Sequence, residues 1–127
     1  MAIEFEAIPG GYLTRGKGIL TEEDARNAVD QIERHMDELN GAVIGFNHWL
    51  EISAYEVGAR RLFTDVVVRR RREFEAIHVC YGTGRLVRMG IAVANATLGG
   101  FLQLHDTADA FDFALSEHLG EPMRKSV

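Results

Sequence analysis

Histidine, cysteine and serine are the residue types in this sequence that could bind a metal or act as nucleophiles. The five histidines lie at positions 35, 48, 78, 105 and 118, and no two of them have the close spacing that places two metal ligands on one element. No GxSxG segment surrounds a serine, and the single cysteine, Cys80, falls late in a segment predicted to be a buried strand. The sequence therefore predicts no metal site, no cofactor and no enzymatic activity.

The glycine-rich segment Gly82-Thr83-Gly84-Arg85 is a second place where chemistry could occur. A turn of this kind between a strand and a helix can present backbone N–H groups to a phosphate, and Arg85 and Arg88 would add positive charge. The segment lacks the third glycine of a GxGxxG motif, because Val87 occupies that position. An anion site remains open as an interpretation, but a simple tight turn is favoured.

Arginines are concentrated in one part of the chain. Residues 57–88 contain eight arginines and three acidic residues, a net charge of +5, whereas the rest of the chain carries −10. This asymmetry predicts either a basic patch suited to an acidic partner, a phosphate or nucleic acid, or a solvated helix end. No aromatic residues are interleaved in the run Arg69–Arg72, so nucleic-acid binding ranks last among these hypotheses.

The elements that must position these residues fit into one domain. With 127 residues, 46% hydrophobic and 26% charged, the chain has the size and composition of a single soluble domain over 1–127. We expect its core at about 12–119 and a flexible tail at 120–127. The uncharged stretch 89–104 is too short for a membrane span. The first six residues lack the basic and apolar regions of a secretory signal, and a lone cysteine cannot form an internal disulfide, so we expect a cytoplasmic location.

The apolar residues alternate between the period of strands and the period of helices. Strands are predicted at Ile3–Ile8, Tyr12–Leu20, Ala42–Phe46, Phe74–Tyr81 and Phe101–His105, the last three of them buried. Helices are predicted after Thr21, after a loop at 47–52 and a capping box formed by Ser53 and Glu56, at 84–98, and after a cap at Asp106. This order predicts an α/β fold with a mixed, mostly parallel sheet of about five strands and about four helices.

The predicted helix that follows Gly84 is apolar around nearly its whole circumference. Between Leu86 and Leu98, Arg88 is its only charged residue. A helix of this kind must be covered on more than one side. It is therefore either packed fully in the core or presents one face to a partner or a second copy, and both alternatives remain open.

The order of elements between about residues 12 and 119 resembles the STAS superfamily, the anti-sigma-factor-antagonist-like domains. The resembling features are the strand at 42–46, the helix opening at Ser53, the strand at 74–81, the apolar helix ending in Leu98-Gly99-Gly100, and Asp106–Phe111 at the start of the last helix. The resemblance implies a regulatory, non-enzymatic role in signalling. It extends to a divergent branch similar to lipid-carrying CRAL-TRIO domains, which implies a small apolar ligand instead.

The regulatory feature of the STAS superfamily is a phosphorylatable serine in an Asp-Ser-Ser-Gly segment at the start of the second helix. The matching segment here is Ser53-Ala54-Tyr55-Glu56, which places Ala54 at the phosphate-accepting position. The resemblance therefore implies that the usual switch is absent. Ser53 and Tyr55 are the alternative acceptors.

We predict a bacterial-type regulatory domain that binds a partner protein or associates with itself. Tyrosine and arginine carry much of the binding energy of protein interfaces, and they occur here at a helix start and a turn. The candidate contact residues are Ser53, Tyr55, Glu56, Arg60, Arg61, Gly82, Thr83, Arg85 and Arg88. The alternative is a domain that holds a small apolar or anionic ligand between the last two helices and the sheet.

Overall fold

A computed structural model describes residues 2–82 and 84–120 of the chain. Thr83 and most of the predicted tail, residues 121–127, lie outside this part. The elements in order are β1 (Ile3–Ile8), β2 (Gly11–Leu20), α1 (Glu22–Leu39), β3 (Val43–Tyr55), α2 (Val57–Arg69), a 3-10 turn (Arg71–Glu73), β4 (Phe74–Tyr81), α3 (Arg85–Thr97), β5 (Leu102–His105) and α4 (Ala108–Leu119). The predicted α/β class, with five strands and four helices, is confirmed.

The five strands form one sheet in which spatial order equals sequence order, β1 to β5. β1 pairs antiparallel with β2, and every other neighbouring pair is parallel. Each parallel connection carries one helix and moves to the next strand in the same direction. Since such crossovers share one handedness, α1, α2 and α3 lie on the same side of the sheet, and α4 covers the other.

The sheet consequently has two unequal cores. On the three-helix face, side chains of α1, α2 and α3 pack on the sheet and form the larger core, which includes Ile32, Val66 and Ile77. On the α4 face, a smaller cluster of buried residues contains Ile8, Leu13, Phe46, Cys80 and Phe111. None of the helices in the described ranges is long and apolar enough to cross a membrane.

Helix α1 begins and ends at the residues that the sequence indicates. The Thr21 hydroxyl accepts a hydrogen bond from the backbone N–H of Asp24, and Glu22, Glu23 and Asp24 occupy the positive end of the helix dipole. Asn40 closes the helix in the left-handed conformation, with φ of 46°, which asparagine tolerates better than most residues.

Strand β3 is longer than predicted, and this overturns the loop at 47–52 and the capping box at Ser53. β3 remains paired with β2 as far as Leu20 and Tyr55, because the long β2 strand offers a partner along the whole segment. Ser53 therefore lies within a strand and cannot cap a helix. Glu56 precedes α2, but its side chain makes no hydrogen bond to that helix.

Two further predictions at the end of the chain are wrong. Thr107, not Asp106, caps α4, because the Thr107 hydroxyl accepts from the backbone N–H of Ala110. β5 is also less buried than predicted. It is the last strand of the sheet and pairs only with β4, so Leu104 is 37% exposed.

Candidate functional site

The predicted contact residues around the start of α2 are divided between the surface and the interior. Ser53 and Glu56 are exposed, and Ala54, at the position of the phosphate acceptor, lies in β3. Tyr55 is half-buried, and its hydroxyl lies so close to Gly90 of α3 that a methyl group there would overlap it. Tyr55 therefore joins two elements of the fold instead of standing free at the surface.

The four predicted arginines lie on two neighbouring helices. Arg60 and Arg61, early in α2, line a groove between α2 and α3 together with Asp65, Val68 and Val93. Arg85 and Arg88 are exposed on the first turn of α3, and the guanidinium of Arg88 lies 5.9 Å from the centre of the Tyr81 ring. The arginines thus border the outer surface of α3.

The outer face of α3 is apolar, and no other described element covers it. Leu86, Met89 and Val93 are 67%, 58% and 50% exposed, while Val87 and Ile91 on the opposite face pack into the core. The spacing of three and four residues aligns the exposed side chains along the helix. Of the two interpretations of this helix, full packing in the core is wrong. We refer to Leu86, Met89 and Val93 as the α3 stripe.

The turn after β4 brings two backbones close together. A Cβ at Gly82 would lie 2.6 Å from the carbonyl oxygen of Leu50 in β3, so the position requires a residue without a side chain. This close approach accounts for Gly82 without an anion. Thr83, the next predicted contact residue, lies outside the described residues.

An apolar cavity of about 80 Å³ lies between the sheet and helices α2 and α3. Its wall includes Trp49, Phe63, Val87 and Ile91, with Arg60 at the groove side. The Nε–H of Arg60 is buried and has no hydrogen-bond partner among the described residues. The predicted ligand position between the last two helices is wrong, since α3 and α4 cover opposite faces of the sheet.

A chain of three hydrogen bonds, centred on the buried Thr14 and Asn47, lies in the sheet beneath this cavity. Trp49 Nε1–H donates to Thr14 Oγ1 at 3.1 Å, and the Thr14 hydroxyl donates to Asn47 Oδ1 at 2.7 Å. The Asn47 amide in turn donates to the backbone oxygen of His78 at 3.4 Å. The nearby Tyr12 is fully buried, which raises the pKa of its phenol far above the usual value.

Two of the four arginines in the run 69–72, at the end of α2 and directly after it, are neutralised within the molecule. Arg69 pairs with Glu33 and Asp65, and Arg70 pairs with Glu33, Asp37 and Glu73. The guanidinium of Arg71 stacks 3.5 Å above the centre of the Phe101 ring. These ion pairs neutralise Arg69 and Arg70, whereas Arg71 and Arg72, both exposed, form no salt bridge among the described residues.

Two histidines that are far apart in the sequence, His78 and His105, are in contact in the structure. His78 Nδ1 and His105 Nε2, on β4 and β5, lie 2.9 Å from each other. Their contact depends on which strands are neighbours, and only the strand order reveals it. No group of three or more His, Cys, Asp or Glu side chains that could hold a metal ion occurs in residues 2–82 and 84–120.

No protein-family model and no curated protein sequence matches the chain. Among solved structures, it is similar to an uncharacterized protein of the DUF3478 family with a SpoIIAA-like fold from Shewanella loihica PV-4. The two share 19% identity over 88% of this chain and 91% of the other, with a TM-score of 0.62. It is also similar to the anti-sigma factor antagonist SpoIIAA in its unphosphorylated form, at 14% identity over 94% of this chain and 99% of the other, with a TM-score of 0.63. The chain thus has the SpoIIAA-like fold implied by its resemblance to the STAS superfamily.

Proposed function

We propose that this chain is a STAS-type regulatory module without enzymatic activity that binds a protein partner through the α3 stripe and the adjoining groove. The observation that carries the proposal is the exposure of Leu86, Met89 and Val93, each at least half accessible to solvent. Aligned apolar side chains on one helix are a common feature of protein-binding surfaces.

The charges around the α3 stripe indicate the chemistry of the partner. Arg85 and Arg88 lie on its first turn, Arg60 and Arg61 border the groove, and Asp65 is the acidic residue in the groove lining. The partner is therefore an amphipathic segment with acidic residues beside an apolar face. Long-range attraction between opposite charges would speed the encounter, and apolar burial would supply most of the affinity.

Two comparisons support this proposal. SpoIIAA, whose fold this chain shares, is described as an anti-sigma factor antagonist, a protein that acts on another protein. Neither similar structure is described as an enzyme. We propose the cytoplasm as the location, and a second copy of the chain as the alternative partner for the same surface.

The test begins by identifying the partner through contact with this surface. A photo-crosslinking amino acid replaces Met89, and in a control it replaces the exposed Glu38 of α1. The protein crosslinked only from position 89 is purified, and its affinity is measured by calorimetry against Met89→Glu, Arg61→Glu and the control Arg34→Glu. We expect the first two changes to weaken binding at least tenfold and the control to change it little. Equal affinities, or the absence of any crosslink specific to position 89, would contradict the proposal.

A second candidate function is supported by the cavity on the three-helix face. Apolar walls and the unpartnered Arg60 Nε–H suit a small apolar carboxylate. Trp49 lines this cavity and is the only tryptophan of the chain, so its fluorescence would report binding. Titration with octanoate should give a saturable change that Arg60→Gln weakens at least tenfold and that the neighbouring Arg61→Gln preserves. An unchanged wild-type spectrum would contradict octanoate as a ligand of this cavity.

A further inference from the structure

Four histidines surround the aromatic core of the α4 face. The His78 ring stacks on Phe46, with centroids 4.8 Å apart, and on His105, with centroids 5.2 Å apart. His48 meets Phe111 of α4 edge-on at 5.4 Å, and His118 of α4 lies 5.5 Å from Phe46. Helix α4 therefore rests on a layer of imidazole and phenyl rings.

The contact between His78 and His105 favours neutral rings. In the hydrogen bond of 2.9 Å, one ring nitrogen must donate and the other must accept, so the two rings cannot both be protonated at these atoms. Burial lowers the pKa of His78 to about 4, and the positive charges of His105 and His118 would act in the same direction. Burial also lowers the pKa of His105, although Asp106 partly opposes this effect.

The carboxylates near His78 and His105 do not offset the effect of burial, which lowers the pKa of both rings. Asp106, which precedes α4, and Asp112 of α4 are the carboxylates that act electrostatically on this face, where both raise the pKa of Cys80. Only Asp106 acts on His105, and neither has a resolved effect on His78. The other titratable groups facing the cluster are His48 of β3 and His118 of α4. Protonation of His78 would thus place a positive charge beneath the helix with no carboxylate of the described residues acting on it.

Helix α4 has two buried residues, Phe111 and Ser116. Its fully buried apolar anchor is Phe111, and half-buried Ala114, Leu115 and Leu119 pack around it. Its end is held by a hydrogen bond of 2.6 Å between His118 Nε2 and the backbone oxygen of Pro9. The larger core, on the other side of the sheet, is built from other residues.

We propose that α4 is an acid-released cover: protonation of the His78–His105 pair detaches α4 from the sheet while the three-helix face stays folded. The released sheet face would expose Phe46 and Cys80, which are both buried in the closed state. This inference is independent of the α3 stripe, which lies on the opposite face.

The direction of the pH effect follows from proton linkage. With α4 closed, His78 has a pKa of about 4, whereas an exposed histidine has a pKa of about 6.5. The open form therefore binds more protons between these two values, and the closed form loses stability as pH falls from about 6.5 towards 4. We expect the ratio of open to closed molecules to rise on the order of tenfold between pH 7.5 and pH 5.

The chain contains one cysteine and one tryptophan, which lie on opposite faces of the sheet, so each face can be followed by its own signal. Cys80, the only cysteine, is fully buried under α4, and burial raises the pKa of its thiol to about 11. Trp49, the only tryptophan, packs on Phe63 of α2 on the three-helix face. The rate at which 4,4′-dithiodipyridine modifies Cys80 therefore measures the opening of α4, and the emission of Trp49 measures the integrity of the other face.

The experiment measures both signals between pH 7.5 and pH 4.5, with each thiol rate divided by the rate of N-acetylcysteine at the same pH. The expected result is a normalised rate that rises on the order of tenfold by pH 5 while Trp49 emission stays constant.

The variant His78→Phe keeps the ring stack but cannot be protonated at this position, so it should suppress the rise. His105→Phe provides the same test should the first variant fold poorly, and His35→Gln, on the three-helix face, should leave the rise intact. A flat rate in the wild-type protein, a rise that coincides with a change in Trp49 emission, or an undiminished rise in folded His78→Phe or His105→Phe would overturn the proposal.

Discussion

The backbone N–H of Glu22, the first residue of α1, donates a hydrogen bond of 2.6 Å to Oε1 of Glu56, the residue that precedes α2. The backbone N–H of Glu56 donates in turn to the carbonyl oxygen of Leu20 at 2.9 Å. These two bonds tie the junction of β2 and α1 to the junction of β3 and α2. The side chain of Glu56 therefore caps α1, although Glu56 itself lies 34 residues further along the chain. Glu56 was predicted as a contact residue, and the structure gives it this structural role.

Replacing Glu56 with alanine should destabilise the fold by about 1 kcal/mol, because the first N–H of α1 loses its acceptor and the helix dipole loses a nearby negative charge. The change is measured by urea unfolding. Glu51→Ala, a change at an exposed residue of the preceding strand β3, serves as the control and should have an effect below about 0.5 kcal/mol. Similar losses in the two variants would show that the capping bond contributes nothing.

The buried hydrogen bonds around Thr14 should be sensitive to the loss of one hydroxyl. Thr14→Val keeps the shape of the side chain but leaves Trp49 Nε1 and Asn47 Oδ1 without their partner. We expect a loss of about 2–4 kcal/mol in the free energy of unfolding, since each unsatisfied buried group costs about 1–3 kcal/mol. Thr64→Val makes the same chemical change in α2, where the hydroxyl only donates to the carbonyl oxygen of Arg60, and should cost much less. A smaller loss for Thr14→Val than for Thr64→Val would contradict this account.

The sequence was most informative where one local pattern determines the structure. Helix α1 has an apolar face of regular period, a threonine cap and an asparagine stop, and the structure has the helix at the predicted position. β3 was predicted too short, because Asn47, His48 and Glu51 interrupt its apolar residues. Those polar side chains are accommodated by tertiary contacts, such as the hydrogen bond between Asn47 and Thr14, which no local pattern contains.

In the candidate site, too, local sequence patterns predicted the character of single elements but not the contacts between them. The apolar character of α3 was evident from its composition, but which side remains uncovered depends on how α2 and the sheet surround it. His78 and His105 are 27 positions apart and meet only because β4 and β5 are neighbours. The charge of the run at 69–72 was evident, whereas the pairing of Arg69 and Arg70 with Glu33 and Asp37 depends on how α1 packs beside α2.

Arg70 should contribute to stability far more than its neighbour Arg72. Its side chain is 15% exposed and donates hydrogen bonds to the backbone oxygen of Glu33 and to the carboxylates of Asp37 and Glu73. The hydrogen bonds from Arg70 to Glu73 also lower the pKa of the Glu73 carboxyl. Arg70→Ala leaves these acceptors close together without a cation, so we expect a loss of about 1–3 kcal/mol.

Arg72→Ala is the matched control for this change, because Arg72 is exposed. Its effect on urea unfolding should stay within about 0.5 kcal/mol. Higher salt should reduce the difference between the two variants only in part, since the bonds of Arg70 are partly buried. Equal unfolding midpoints for the two variants would show that the ion pairs of Arg70 do not stabilise the link between α1 and the end of α2.

Gly82 should tolerate no side chain, and this prediction separates a steric role from an anion-binding role. A Cβ at this position would approach the Leu50 carbonyl oxygen to 2.6 Å, so β3 or the turn must move. Gly82→Ala should therefore destabilise the fold by about 1–3 kcal/mol in a buffer without phosphate. In Gly41→Ala the new Cβ meets only the Leu39 carbonyl oxygen, at 3.8 Å, so this control should be nearly neutral. If Gly82→Ala proved as stable as Gly41→Ala, the close approach of the two backbones would not be what requires glycine, and the anion-binding interpretation of this turn would regain its support.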